Sequence, residues 1–148
     1  MFAKQCFSLI LAMTFICRVV PAIADDIALS LVHGQNRIDI PVSAIQRIES
    51  YATLRFVVAE TKEVQEFPAP RVELCYAPDI QRRICRLTRR IIEQPMDLVV
   101  DCQTLSRPVV REPLCGPCLQ IRANDILEAN ALAKRLKTGS NHRCAPVS

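Results

Sequence analysis

Cys115-Gly116-Pro117-Cys118 is the stretch of this 148-residue chain whose residue types and spacing could most directly do chemistry. A Cys-x-x-Cys pair at a helix N-terminus gives one thiol a depressed pKa, because the dipole and the free N–H groups stabilise the thiolate. That thiolate attacks disulfides at neutral pH. A thiol–disulfide oxidoreductase using Cys115 and Cys118 is therefore one reading of the chain. The position of the turn speaks against it. Leu119-Gln120-Ile121 reads as a short strand and the next helix starts only near Asp125, so no helix N-terminus faces Cys115. Four further cysteines, Cys75, Cys85, Cys102 and Cys144, accompany the pair outside the N-terminal leader, where Cys6 and Cys17 lie. An even number of cysteines in an exported chain points to a disulfide framework, here Cys75, Cys85, Cys102, Cys115, Cys118 and Cys144. Sequence does not choose the connectivity. The local pair expected is Cys75–Cys85, a strand end joined to the facing helix.

The remaining constellations are weaker. Cys115, Cys118, His142 and Cys144 would offer four zinc ligands, but the His-x-Cys half has unusual spacing and an oxidising compartment favours disulfides. No metal and no cofactor is expected. Catalytic residues are expected to be none: His33 and His142 are the two histidines, one in a turn and one near the C-terminus. Asp97 and Asp101 fall four apart on one strand, hence on one face, where a solvent-facing surface is commoner than an acid/base pair. Three glycines are too few for a phosphate-cradling loop. Arg82, Arg86 and Arg89, with Arg83 and Arg90, form a basic stripe at i, i+4, i+7 opposite Ile80, Ile84, Leu87 and Ile91. Such a stripe is either a solvated face or a contact for a protein or anionic partner.

The elements that must hold these residues are legible from periodicity. Ile27–Val32 and Ile38–Val42 flank a His-Gly-Gln-Asn turn and predict a hairpin. Ser43 opens a short helical turn carrying Ile45 and Ile48, with Gln46 at capping-box spacing. Leu54–Val58 reads as a strand, and Thr61–Pro70, polar and ending in two prolines, as a loop. Arg71–Tyr76 alternates as a strand; Pro78 and Asp79 open a helix to about Ile92. Met96–Cys102 is a strand and Leu105–Pro113 is extended, since each proline disfavours helix in the residue before it. Asp125 and Glu128 cap a second helix with the stripe Ile126, Ala129, Leu132, Ala133, Leu136, and Gly139 stops it. The fold class expected is α+β: a small antiparallel or mixed sheet with two amphipathic helices on one face, stapled by disulfides.

The N-terminus reads as a leader. Lys4 precedes the apolar run Cys6–Cys17, Arg18 closes it, and Ala22-Ile23-Ala24 is a small-x-small cleavage site. Residues 1–24 are expected to be a signal peptide and 25–148 one domain, periplasmic or secreted, with no transmembrane segment after cleavage. Lys4 and Arg18 leave with the leader, so 17 basic residues face 15 acidic ones. That balance, with export, excludes a general nucleic-acid binder.

The order of elements over residues 71–139 resembles the head subdomain of the first periplasmic domain of the SecD/SecDF family. The residues that carry the resemblance are Arg86-Leu87-Thr88, Val99-Val100-Asp101, Ser106-Arg107-Pro108-Val109, the turn at 115–118, and the Ala129-x-x-Leu132-Ala133-x-x-Leu136-x-x-Gly139 helix. The departure is at the turn, where two cysteines around Gly-Pro replace glycines. The resemblance implies a free-standing, non-enzymatic binding or scaffolding module that contacts polypeptides in the envelope; it does not imply proton-driven translocation.

Overall fold

A computed structural model describes residues 25–139. The leader, His142 and Cys144 lie outside the described residues. Strands β1 (Ile27–His33) and β2 (Asn36–Pro41) form the expected hairpin, turned at Gly34, whose φ of +55° a glycine adopts without cost. A 3-10 turn at Val42–Ala44 leads into β3 (Ile45–Val57), so the expected helical turn is confined to three residues and Gln46 lies in a strand. Strand β4 (Val64–Tyr76) runs straight into helix α1 (Pro78–Arg90). Then come β5 (Asp97–Val100), β6 (Gln103–Ser106), β7 (Cys118–Arg122) and helix α2 (Ile126–Thr138).

All strand pairs are antiparallel, and the strands divide into two sheets ordered β2-β1-β5-β6 and β3-β4-β7. The fold is the expected disulfide-stapled α+β class. Both sheets and both helices contribute to one core: Leu29 and Ile40 from the first sheet, Val72, Leu74 and Tyr76 from the second, Ile84 from α1 and Leu136 from α2.

The largest departure from sequence is at Thr61–Pro70. Most of that segment is strand, paired with β3 from Thr53↔Pro68 out to Val57↔Val64. Proline is excluded from a central strand because it lacks the ladder N–H. Strand β7 pairs with Arg71–Cys75 of β4, and just past it the Ala123 N–H donates to Pro70 O at 3.0 Å. Pro70 thus closes that ladder as an acceptor, and Pro68 lies beyond it on an open edge, where a missing donor costs little. The result is a two-stranded arm extending past the sheet.

Asp97 and Asp101 do not share a strand face. Strand β5 ends at Val100, and Asp101 and Cys102 form the two-residue turn into β6 with φ of +50° and +61°. Positive φ at both central positions matches the twist of a tight hairpin. Asp97 pairs with Arg107 (Nη2–Oδ2 3.0 Å) and Asp101 with Arg135 of α2 (2.8 Å), so both are structural. The segment after β6 touches the rest through the bridge Pro95↔Val109 and the Met96 N–H, which donates to Pro108 O at 2.9 Å.

Candidate functional site

Helix α1 begins without a side-chain cap. Pro78 occupies its first turn, where the missing N–H is no loss, and Asp79 complements the dipole there. Its stripe of Ile80, Ile84 and Leu87 is buried, with Ile91 just past the end. That burial fixes the rotation of the helix and forces Arg82, Arg83, Arg86, Arg89 and Arg90 outward, all exposed. Arg89 and Arg90 lie in the last turn, where cations are favoured.

The arginine face borders an open groove of ≈ 500 Å³ between α1 and the Cys115 segment, lined by Pro78, Gln81, Cys85, Cys115 and the guanidinium-bearing Arg82, Arg86, Arg89 and Arg90. No carboxylate among the described residues lines it. Among the described residues, none of these arginines has an ion pair or a side-chain hydrogen bond. Arg37, Arg47, Arg55, Arg107, Arg111 and Arg135 are each paired with a carboxylate. Sequence places the stripe. It gives no hint of the wall opposite.

That wall is tied to α1 in three ways. Cys85 is disulfide-bonded to Cys115, with Cα atoms 4.4 Å apart. The Gln81 side-chain amide donates to Cys115 O at 2.7 Å. Thr88, fully buried, accepts from the Leu114 N–H at 2.9 Å while its hydroxyl donates to Ile84 O at 2.8 Å.

The far end of the turn is fixed to the second sheet instead. Cys118 is disulfide-bonded to Cys75, its directly opposed partner in the β4–β7 ladder. Tyr76 holds the turn from beneath: its N–H donates to Pro117 O at 3.1 Å and its hydroxyl to Gly116 O at 3.4 Å. Burial raises the Tyr76 phenol pKa above its ordinary value. The expected Cys75–Cys85 pair is therefore corrected. Register puts Cys118 across the ladder from Cys75, and α1 turns Cys85 toward the wall. Cys102 is disulfide-bonded as well.

Two consequences follow for chemistry. Cys115 and Cys118 are not bonded to each other, and the turn feeds β7 rather than a helix, so the arrangement is not that of a reactive cysteine at a helix N-terminus. As cystine sulfurs, neither is a thiolate available to zinc. His33 is structural too, its Nδ1 lying 2.8 Å from Pro95 O.

A second surface was not read from sequence. On the β3–β4 arm, Leu54, Phe56 and Phe67 are 45–47% exposed and share one face, with Phe56 and Phe67 stacked at 5.2 Å between ring centres. The other face carries Thr53 and Arg55 on Glu66, which hold its carboxyl below the usual range, Thr53 more than Arg55. The alternation Leu54, Phe56 was visible; its partner strand was hidden by the prolines.

Residues 46–140 match the family described as the SecDF P1 head subdomain. The chain belongs to that family. The match begins some 25 residues earlier than the resemblance at 71–139 and takes in nearly all of β3. A solved structure of SecDF, described as a membrane component that enhances protein export, is 21% identical with a TM-score of 0.50, covering 74% of this chain. A second, SecDF in a super-membrane-facing form, is 20% identical with a TM-score of 0.48 over 68% of this chain. The chain spans 46% of the length of the first and 12% of the second. The first likeness concerns the fold alone. No curated protein matches in sequence. Membership in this SecDF family implies an extracytoplasmic location, and no helix among the described residues is long and apolar enough to cross a membrane.

Proposed function

We propose that this SecDF P1 head-like chain is exported with its leader, Met1–Ala24, removed, and acts outside the cytoplasm as a non-enzymatic module that contacts polypeptides. The single observation behind this reading is membership in the SecDF head family, in which the solved relative is described as enhancing protein export. The surface is compatible with it. Its unpaired arginine face and its apolar arm are both available to a partner, while the sulfurs of the turn are spent on two cross-links.

The test uses a reduced, carbamidomethylated polypeptide, which is unfolded and carries no added charge. Isothermal titration should show saturable binding to the unfolded form and none to its native counterpart. An absence of binding to the unfolded form would overturn the reading. Insulin reduction that disappears with Cys115→Ser, in a variant still folded by circular dichroism, would put an oxidoreductase in its place.

A further inference from the structure

We propose that the groove between α1 and the Cys115 segment docks an acidic, extended peptide segment, whose carboxylates pair with the guanidinium groups of Arg82, Arg86 and Arg89. The inference rests on the polypeptide-contact reading and names the chemistry of the segment bound.

Charge carries it first. The ion-paired arginines of the described fold have their carboxylates supplied from within; among the described residues the groove arginines have none, and no acidic side chain lines the space they border. A cluster of like charges held without counterions is offset when an anionic partner arrives. The residue type narrows the partner. Guanidinium presents a rigid planar fork that takes a carboxylate with two parallel hydrogen bonds, which the ammonium of lysine does not.

Spacing fits an extended chain. Helical rise sets Arg82 and Arg86 about 6 Å apart along the axis and Arg86 and Arg89 about 4.5 Å apart. Alternate side chains of an extended strand recur at about 6.7 Å, within reach of flexible arginine stems. Acidic residues at alternate positions would meet successive arginines.

Shape then favours a peptide over a membrane. A helix that lies on a bilayer carries large apolar side chains beside its cations. Here the apolar lining is Pro78 and the Cys85–Cys115 disulfide; a single exposed apolar residue, Ile92, follows the end of α1, and the exposed Leu54, Phe56, Phe67 and Leu127 belong to other elements. The surface is concave, with its far wall fixed to α1 by the disulfide, Gln81 and Thr88. A fixed wall lowers the ordering cost of binding. The staple between Cys85 and Cys115 thereby becomes part of the site.

Fluorescence anisotropy on the whole mature chain tests this, with a labelled peptide bearing Glu at alternate positions and a Gln counterpart. The Glu peptide should bind more tightly than the Gln peptide and weaken as salt rises. The triple variant Arg82→Gln/Arg86→Gln/Arg89→Gln should lose about tenfold or more in affinity, since three charge-assisted contacts go. Arg55→Gln on the arm should change nothing. Cys85→Ser/Cys115→Ser should weaken binding as well. As a readout that needs no variant, the Glu peptide should slow amide hydrogen exchange over α1 and residues 112–117 of the wild type.

Equal binding of the two peptides, an unaffected triple variant, or no added protection at that site would overturn the proposal. So would tighter binding to phosphatidylglycerol vesicles or to inorganic polyphosphate. The two readings fail separately. If the unfolded, carbamidomethylated polypeptide still binds the triple variant while the Glu peptide never binds, the groove inference falls and the general function stands. If the Glu peptide binds at the arginines but no unfolded polypeptide binds, the reverse holds.

Discussion

Helices α1 and α2 are both 13 residues long and both bury an apolar stripe, yet they are finished in opposite ways. Helix α2 is closed off locally. Asp125 accepts from the Glu128 N–H at 2.8 Å, Glu128 reaches back to the Asn124 N–H at 2.7 Å, and Gly139 ends the helix at φ +64°. Its Arg135 is neutralised by Asp101. Helix α1 has no side-chain cap, and its arginine face has no ionic partner among the described residues. It is held instead by its buried stripe and by the Cys85–Cys115 cross-link. Helix α2 has the features of a part that stabilises. Helix α1 stabilises with one face and leaves the other without an ionic partner among the described residues, the face proposed to meet an acidic segment.

The buried stripes carry the largest expected effects. Leu136→Ala in α2 and Ile84→Ala in α1, both fully buried, should each cost about 2–5 kcal/mol, because each leaves a cavity in the shared core. Denaturant melts of the two variants check this; a small cost in only one helix would mean that helix is peripheral. Removing the Cys85–Cys115 cross-link, which closes a separation of 30 residues, should cost about 2–4 kcal/mol in the same melts.

Changes at the helix ends and on the exposed face should cost less. Asp125→Ala removes the cap of α2 and should cost about 1 kcal/mol. Arg86→Gln should alter stability by no more than about 0.5 kcal/mol, since its side chain is exposed and makes no contact that the fold needs. A marked destabilisation by Arg86→Gln would return the stripe to a structural role.

A pH dependence follows from Tyr76, beneath the turn. Its folded-state pKa is raised by burial, so the native protein holds the phenolic proton more tightly than the unfolded chain. Its contribution is fully present below the unfolded value of about 10 and is lost as pH rises through the folded one. Alkaline melts should show that loss. Tyr76→Phe should flatten it.

Much of the fold follows from periodicity. The Ile80-Ile84-Leu87-Ile91 spacing gives α1, the Asp125/Glu128 box gives α2, and the turn at Gly34 gives the first hairpin. The arm was illegible because Pro68 and Pro70 signal a loop in any reading that does not know which strand edge they occupy. Likewise the pairing of Cys75 depends on β4–β7 register, a long-range property that local alternation does not carry. The arginine stripe was legible at i, i+4, i+7. The groove beside it was not, because its other wall comes from a turn some 30 residues further on and is fixed by a cross-link whose partner sequence left open.

The Cys-Gly-Pro-Cys turn is a double staple, one sulfur holding the wall of the arginine groove to α1 and the other closing the second sheet. Non-reducing proteolysis of the native protein with mass spectrometry of the linked peptides tests it most directly. The account requires one peptide pair joined through Cys85 and Cys115 and another through Cys75 and Cys118. A disulfide between Cys115 and Cys118, or free thiols at both, would contradict it and make the turn a redox site.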